Sequence, residues 1–336
     1  MRSTKFLGLA GTAAAMMLTL AACGGGDASG AGDSKEFRLA LNQTETHPSY
    51  IALDNMGKNL DKATDGRVSV DVYANETLGA QQEAIQLVSD GTVEMAVVSG
   101  TQLENLNPEF QVFNLPGVFD NVEHQMKVVG DETIVGDLYS SLEDQNLTVL
   151  GGFTQGTRSI YNAKGPVKGP ADMAGMKIRV QESDVQLDMI KAMGGAPAPM
   201  AFGEVYTALQ SGVIDAAENN EVSYLTQKHS EVAKYFSNTN HLVGLDYVVV
   251  NTDAYEAMSA EDRTAFDEQW TAAVTEHTGL WTTETEKAHK ELEGSGVKFN
   301  DVDTAAFQTA LKPLIEKYVT TDSAKKIYDA ARAAAS

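Results

Sequence analysis

Short apolar stretches alternate with stretches of helical spacing through the first part of the chain. Residues 37–42 (F-R-L-A-L-N) have strand composition, and apolar residues then recur at helical spacing over 51–60. Valines alternate with other residues over 68–72, an apolar helical stripe follows at 85–88, and 93–99 (V-E-M-A-V-V-S) is another short apolar stretch. This succession of strand, helix, strand, helix and strand favours a mainly parallel sheet with helices on its faces.

The middle of the chain contains a predicted change from one lobe to the next. Residues 107–120 combine prolines with apolar residues, which indicates a packed connection rather than a long helix. A helix is predicted over 122–142, followed by a strand at 147–153 (L-T-V-L-G-G-F) and a separate strand at 157–162 (T-R-S-I-Y-N). We expect the first lobe to give way to the second at this pair of strands.

A second alternation follows and predicts a second lobe of the same kind. Strand-like stretches at 177–180 (K-I-R-V), 196–200 (A-P-A-P-M) and 213–217 (V-I-D-A-A) are separated by helices predicted over 185–193 and 204–210. No sequence repeat accompanies this similarity. The pattern therefore predicts an α/β protein with two lobes, each a mainly parallel sheet flanked by helices.

Residues 260–293 form a long stretch that is free of proline and rich in helix formers. Ser259 offers an N-cap followed by acidic residues in the first turn, and Gly294 offers a stop. The predicted helix is longer than one lobe needs, so we expect it to cross both lobes. Trp270 and Trp281 lie on it and are interpreted as packing residues. A strand near V-K-F-N and two further helices close the predicted fold.

The first residues have the pattern of a bacterial export signal. Arg2 and Lys5 are followed by an apolar run and by L-A-A-C, so residues 1–22 are predicted to be a lipoprotein signal peptide. The single cysteine of the chain, Cys23, would then carry the lipid. A plain secretory signal with an incidental cysteine is the alternative. Residues 23–35 lack large apolar side chains and are predicted to be a flexible tether.

The net charge of the chain limits the kinds of molecule that it is expected to bind. The formal charge of the chain is −22 at pH 7. This excess of acidic residues argues against binding to nucleic acid and against direct attachment to an anionic lipid surface. Solubility outside the cell is a sufficient explanation of the charge. An anionic ligand would therefore require a locally positive pocket.

Motifs that mark catalytic or cofactor sites are missing from the sequence. It contains no G-x-S-x-G, H-E-x-x-H, Walker or G-x-G-x-x-G motif, and its six histidines show no metal-ligand spacing. Acidic pairs such as Asp262 and Glu268 are too common in this chain to single out a general acid and base. We therefore predict a protein that is not an enzyme and that uses no cofactor or metal.

Two arginines occur in strand-like apolar contexts, Arg158 in G-T-R-S-I-Y and Arg179 in K-I-R-V. An arginine at the end of a strand can present its planar guanidinium to a carboxylate through two parallel hydrogen bonds. The alternation in K-I-R-V equally allows Arg179 to face solvent beside Lys177. Spacing alone does not decide between these two interpretations.

Asparagines and aromatic residues add further candidates. Asn219 and Asn220 follow V-I-D-A-A-E, which places amides at a strand end, where ligands collect in open α/β sheets. Turn formation is the alternative for both, and Asn42 at the end of the first predicted strand has the same two interpretations. Phe202 and Tyr206 can stack on a sugar ring or pack a core.

Several longer motifs resemble one family. They are G-x-K-I-R-V, then G-G-x-P-x-P-M-A-F-G-E-V-Y-T-A-L-Q-S-G-V-I-D, then E-N, then E-V-A-K-Y, the N-H pair at 240–241 and L-G-A-Q-Q at 78–82. In these motifs the chain resembles the DctP-type solute-binding proteins of tripartite ATP-independent periplasmic (TRAP) transporters, from residue 36 to the C-terminus. The resemblance implies a two-lobed clamp with a hinge and a long interlobe helix, closing on an organic acid.

The resemblance also implies roles for individual residues. The carboxylate-binding arginine of the family corresponds to Arg179 and a second arginine of the site to Arg158. The remaining ligand-facing positions of the family correspond to Asn219, Asn42, Gln81 and Phe202.

The resemblance further narrows the ligand. Sialic-acid-binding relatives carry an acidic residue where this chain has Ser99, which argues against that ligand. The motifs R-V-Q-E-S and E-N-N-x-x-S-Y are similar to those of members that bind hexuronates such as glucuronate and galacturonate. Glu182 and Asn220 then become candidates for contacts with sugar hydroxyls. A dicarboxylate or an aldonate remains an alternative ligand.

The expected partners follow from the same family. The protein is expected to capture a small organic acid and deliver it to TRAP membrane permease subunits, with the lipid on Cys23 as its only attachment to the outer face of the cell membrane. A secreted hydrolase of acidic carbohydrate and the binding protein of an ATP-driven importer are the rival interpretations. The expected lobes comprise 36–156 plus about 244–275, and 157–243 plus about 276–336.

Overall fold

The structure is a computed structural model that describes residues 34–335. The predicted signal peptide, the predicted lipidation site Cys23 and nearly all of the predicted tether lie outside these residues. Within residues 34–335, no helix combines the length and the hydrophobicity that a membrane span requires.

Nine strands belong to one sheet in the described part of the chain. Their bounds are β1 Lys35–Ala40, β2 Val68–Tyr73, β3 Met95–Ser99, β4 Leu147–Asn162, β5 Lys177–Val180, β6 Ala196–Pro199, β7 Ala216–Asn219, β8 Tyr235–Asn251 and β9 Lys298–Asn300.

The helices alternate with these strands and cover both faces of the sheet. The α-helices are α1 Pro48–Ala63, α2 Gln81–Ser89, α3 Gly100–Leu103, α4 Val122–Val129, α5 Glu132–Ser140, α6 Asp184–Ala192, α7 Val205–Ser211, α8 Glu221–Thr226, α9 His229–Val232, α10 Thr252–Glu256, α11 Ala260–Gly294, α12 Thr304–Leu311, α13 Pro313–Tyr318 and α14 Asp322–Ala333. Short 3₁₀ helices occur at Pro108–Asn114, Glu143–Gln145, Pro170–Met173 and Phe202–Glu204.

The sheet has a parallel group of strands on each side and two long strands between them. Its order is β2-β1-β3-β8-β4-β7-β5-β6, with β9 beside β8. Strand β1 runs parallel to β2 and β3, and β5 runs parallel to β6 and β7. The long strands β4 and β8 pair antiparallel with each other and join the two groups. The predicted α/β class is confirmed, with a mixed sheet.

Strand β4 differs from the prediction. Residues 147–153 and 157–162 were expected to be two strands, but they form one continuous strand paired with β8. Irregularities in register, including one between Thr154 and Thr157, bend the strand without ending it. They disturb the apolar alternation, which is why the sequence pattern indicated a break. Its partner β8 was not predicted, because polar residues over 237–241 and Asp246 interrupt its apolar pattern.

Two predictions about helices had different outcomes. The single helix predicted over 122–142 is wrong, because α4 ends at Val129 with Gly130 as its C-cap, and the Asp131 side chain accepts from the Thr133 amide to begin α5. The long helix predicted over 260–293 is confirmed as α11, and Ser259 caps it by accepting from the Asp262 amide.

The two tryptophans of α11 pack against neighbouring elements. Trp270 stacks on Phe153 of β4 with ring centroids 5.2 Å apart, and its Nε1 donates to the Leu150 carbonyl over 3.0 Å. Trp281 lies with its ring 5.6 Å from the ring of His47 at the start of α1. Helix α11 thus contacts β4, α1 and α8 along its length.

Candidate functional site

The carboxyl ends of the two parallel strand groups face each other. Ser99 at the end of β3 donates from Oγ to Gln181 Oε1 over 2.8 Å, just after β5. The Gly203 amide, beyond β6, donates to Glu76 Oε2 over 3.1 Å, beyond β2. In open α/β sheets, ligands bind outside the carboxyl ends of the strands. The residues at these strand ends therefore form the candidate site.

A cavity of about 190 Å³ lies between the two sets of strand ends. Four of the residues predicted from the sequence line it, namely Gln81, Arg179, Glu182 and Phe202. The rest of its wall consists of Glu76, Ala80, Gln82, Gln102, Gln181, Met200 and Ala201.

Arg179 is buried because of its place in β5. Its neighbours Ile178 and Val180 are fully buried in the core on one face of the sheet, so Arg179 projects from the opposite face, where it is 2% exposed. The solvent-facing interpretation of Arg179 is therefore wrong. Its Nε and Nη2 both donate to the Met200 carbonyl, over 3.0 and 2.7 Å, and its Cζ lies 5.5 Å from the centre of the Phe202 ring.

Arg179 has no ion-pair partner among residues 34–335, and its Nη1 donates no hydrogen bond there. Burial lowers the pKa of Arg179 to about 10, despite the opposing influence of Glu218 nearby. The guanidinium therefore remains charged at neutral pH. A buried cation without a counter-ion is strongly unfavourable, so this position favours binding of an anion.

Arg158, in contrast, is already paired within the protein. Its Nε and Nη2 donate to Glu218 Oε2 and Oε1, each over 2.6 Å, and its Nη1 donates to Asn219 Oδ1 over 3.0 Å. Burial alone would raise the pKa of Glu218, but the charge and hydrogen bonds of Arg158, together with His241 Nε2 at 3.5 Å, lower it to about 2. Glu218 thus stays ionised and occupies most of the donors of Arg158.

The two asparagines after β7 have different surroundings. Asn219 Oδ1 accepts from Arg158 and from the Asn220 amide, whereas its Nδ2 donates no hydrogen bond to any residue that the structure describes. Asn220 Oδ1 accepts from the Ser223 amide over 2.7 Å and so caps α8. Of the two side chains, only Asn219 thus has a nitrogen, Nδ2, that is left without a partner within residues 34–335.

Of the remaining predicted residues, Gln81 and Glu182 line the cavity, whereas Asn42 does not. Asn42 follows β1 and is 7% exposed, and its Oδ1 has no hydrogen-bond partner in the described part of the chain. Gln81 at the start of α2 accepts from the Ser99 amide over 2.5 Å. Glu182 has an exposed side chain at the mouth, and its carbonyl accepts from Asn105.

Several polar residues of the site were missed by the sequence analysis. Besides Asn42 Oδ1, which was predicted, the buried side-chain atoms that lack a partner within residues 34–335 include Gln43 Oε1, Glu76 Oε1, Gln102 Oε1 and Gln155 Nε2. Four of these five atoms are acceptors. Buried polar groups without partners are unfavourable, so these acceptors are available to the donors of a ligand. Only their position just after predicted strands could have identified these residues.

A metal site is not part of this arrangement. Within residues 34–335, no group of three or more His, Cys, Asp or Glu side chains is placed to hold a metal ion. The chemistry of the site is instead one buried cation surrounded by amides and carboxyl groups.

Comparison with known proteins identifies the family. Residues 39–322 match the model of the DctP family, described as bacterial extracellular solute-binding protein, family 7. A solute-binding protein of Chromohalobacter salexigens is 36% identical over 276 residues, which cover 82% of each chain. A C4-dicarboxylate-binding periplasmic protein of Rhodobacter capsulatus is 32% identical over 273 residues, covering 80% of this chain and 81% of its own.

Solved structures give the same result. A TRAP periplasmic solute-binding protein of Anaerococcus prevotii with bound D-glucuronate has a TM-score of 0.87 and 33% identity, covering 90% of this chain and 98% of its own. A TRAP periplasmic solute-binding protein of Bradyrhizobium with bound D-galacturonate has a TM-score of 0.85 and 32% identity, covering 89% of this chain and 100% of its own. The chain therefore belongs to the DctP family of bacterial extracellular solute-binding proteins.

Proposed function

We propose that the protein binds a hexuronate, such as D-glucuronate or D-galacturonate, at the strand ends and delivers it to the membrane permease of a TRAP transporter. The buried guanidinium of Arg179, which has no counter-ion among the described residues, is the observation that carries the proposal. The solved relatives with these two sugar acids support the choice of ligand.

The ligand carboxylate binds at Arg179 in this proposal. The two N–H groups of Nη1 have no acceptor in the described structure, and the Met200 carbonyl fixes the orientation of the guanidinium. A charge-assisted hydrogen bond of this kind contributes roughly 1.5–3 kcal/mol. The Phe202 ring covers the guanidinium and limits access of water to the ion pair.

The hydroxyl groups of the sugar satisfy the unpartnered acceptors. Asn42 Oδ1, Glu76 Oε1 and Gln102 Oε1 are buried without donors, and a hexuronate supplies several O–H groups. A C4-dicarboxylate such as succinate has no hydroxyl group to donate and carries a second negative charge. This difference favours a sugar acid over the dicarboxylate that the Rhodobacter capsulatus relative binds according to its name.

Binding is coupled to closure of two lobes in this proposal. The lobes comprise 36–156 plus about 244–275, and 157–243 plus about 276–336, with the hinge in β4 and β8. Contacts between the facing strand ends, such as Ser99 to Gln181 and Gly203 to Glu76, form only when the lobes are together. The ligand shifts the equilibrium toward this closed form because it contacts both sides.

The protein is also proposed to be anchored to the outer face of the cell membrane through lipid on Cys23. A single acyl chain gives only marginal membrane binding, so two or more chains are implied. Mass spectrometry of the mature N-terminus and release of a Cys23→Ser variant into the medium test this anchor. A mature protein that begins elsewhere, without lipid, would overturn it.

A thermal-shift screen tests the ligand. The panel contains D-glucuronate, D-galacturonate, D-gluconate, succinate and sialic acid. A ligand present at about a hundred times its Kd stabilises the protein by about 2.7 kcal/mol, which is readily seen in Tm. We expect a shift with a hexuronate and none with succinate or sialic acid. A shift with succinate alone would replace the proposal with a dicarboxylate binder.

A further inference from the structure

A buried acid of β8 remains unexplained by the interactions within the protein. Asp246 is 6% exposed, and its carboxyl group forms no hydrogen bond or ion pair with another residue between 34 and 335. Buried carboxyl groups are normally paired, because an isolated one is strongly unfavourable. The Asp246 carboxyl group therefore requires a partner from outside the chain.

The strand register places Asp246 on the face of the sheet that carries the site. Asp246 lies directly opposite Ser99 of β3 in the antiparallel pair, so the two side chains project from the same face. Ser99 Oγ donates to Gln181 Oε1, and Gln181 lines the cavity of Arg179. Asp246 is thus directed toward the facing strand ends.

Gly244, two positions before Asp246 on β8, indicates the same direction for the Asp246 side chain. A Cβ on Gly244 would lie 3.0 Å from Arg158 Cδ and 3.0 Å from Gln155 Cβ, so both side chains cross β8 at this glycine. Residues 244 and 246 share a face because side chains alternate along a strand. Asp246 therefore sits beside Arg158 and Gln155 on the face of the site.

Arg158 does not neutralise Asp246 by direct contact. Its Nε and Nη2 are turned to Glu218, and its Nη1 reaches Asn219. Burial raises the pKa of Asp246 to about 7, although the positive charge of Arg158 acts in the opposite direction. The carboxyl group is thus close to a cation and yet without a hydrogen bond.

We infer that Asp246 is a specificity-determining residue that binds a hydroxyl group of the sugar acid. This inference rests on the proposed function. A hydroxyl group donates to the Asp246 carboxyl group and can also accept from Gln155 Nε2, which has no acceptor among residues 34–335. A second carboxylate in the same place would be repelled by the ionised form of Asp246. The residue therefore selects polyhydroxy acids against dicarboxylates.

Isothermal titration calorimetry with D-glucuronate and its monodeoxy analogues tests the inference. The proteins are the wild type, Asp246→Asn, and the control Asp71→Asn, which alters an exposed aspartate of β2. We expect Asp246→Asn to bind D-glucuronate roughly tenfold or more weakly, because a site built for a hydroxyl group depends strongly on it. One deoxy analogue should bind the wild type and Asp246→Asn equally, and Asp71→Asn should match the wild type throughout.

Two results would overturn the role of Asp246. Unchanged affinity of Asp246→Asn for D-glucuronate overturns the inference, and so does a uniform loss with every analogue. Circular dichroism verifies folding, and Asp246→Ser replaces Asp246→Asn if the latter does not fold. A wild type that binds no hexuronate at all refutes the proposed function, and the inference falls with it.

Discussion

Arg158 donates from Nε and Nη2 to both carboxylate oxygens of Glu218, each over 2.6 Å, in a buried pair at the end of β7. This pairing separates the roles of the two arginines at the site. Arg158 is neutralised within the protein and donates to Asn219, whereas Arg179 has no ion-pair partner among residues 34–335. Sequence spacing treated the two arginines alike, because the partner of Arg158 comes from a different strand.

Glu218→Gln should destabilise the protein strongly. Removing one member of a buried ion pair leaves the other charge uncompensated, which costs about 3–5 kcal/mol. The free energy of unfolding measured in urea tests this expectation. Asp54→Asn serves as the control, since it removes the exposed ion pair with Lys58 and should leave stability nearly unchanged. Equal stability of Glu218→Gln and the wild type would contradict the structural role of the pair.

Gly156→Ala should disrupt the bend in β4. Gly156 has a φ of +56°, and a Cβ there would lie 2.3 Å from Trp281 Nε1 on α11. We expect a loss of about 2 kcal/mol or more in the free energy of unfolding. Gly279→Ala on α11 is the control, because it meets no atom within 4 Å and should stabilise the helix by up to about 1 kcal/mol. A Gly156→Ala variant as stable as the wild type would show that the strand tolerates a side chain here.

Stability should fall as the pH decreases below about 6.5. Burial lowers the pKa of His47 to about 3, so the unfolded chain takes up a proton that the folded chain does not, and unfolding is favoured between these values. His47→Asn removes this titration and keeps an acceptor for the Ser49 amide at the start of α1. At about pH 5 the variant should have lost about 2 kcal/mol less stability than the wild type, relative to neutral pH. Parallel pH profiles of the two proteins in urea denaturation would contradict this assignment.

Gln181→Met should weaken the closed form. Gln181 Oε1 accepts from both Ser99 and Thr101 across the facing strand ends, over 2.8 and 2.5 Å. Without these bonds, we expect a larger radius of gyration of the ligand-free protein in small-angle X-ray scattering and a roughly tenfold weaker affinity for the ligand. Gln86→Met is the control, because among residues 34–335 the Gln86 side chain bonds only to Asp90, which caps the same helix. An unchanged radius and affinity in Gln181→Met would exclude this contact as a determinant of closure.

The sequence indicated the α/β class, the long helix α11 and the family, because these depend on local periodicity and on contiguous motifs. The burial of Arg179 could not be predicted, since it depends on Met200 and Phe202 from the neighbouring strand end. Asp246 was also missed, because only the pairing of β3 with β8 brings it opposite Ser99. Position at a strand end was a useful signal for the site, but the partner of each side chain required the fold.

Isothermal titration calorimetry of the wild type, Arg179→Ala and Arg179→Lys with D-glucuronate and D-galacturonate tests the central claim, that Arg179 binds the ligand carboxylate. The wild type should bind at least one of these acids. Arg179→Ala should show no binding while its Tm stays equal or rises, because the variant loses a buried cation without a counter-ion. Arg179→Lys should bind more weakly, since an ammonium group cannot form two parallel hydrogen bonds. Binding of the same acid to Arg179→Ala with the affinity of the wild type would contradict the claim.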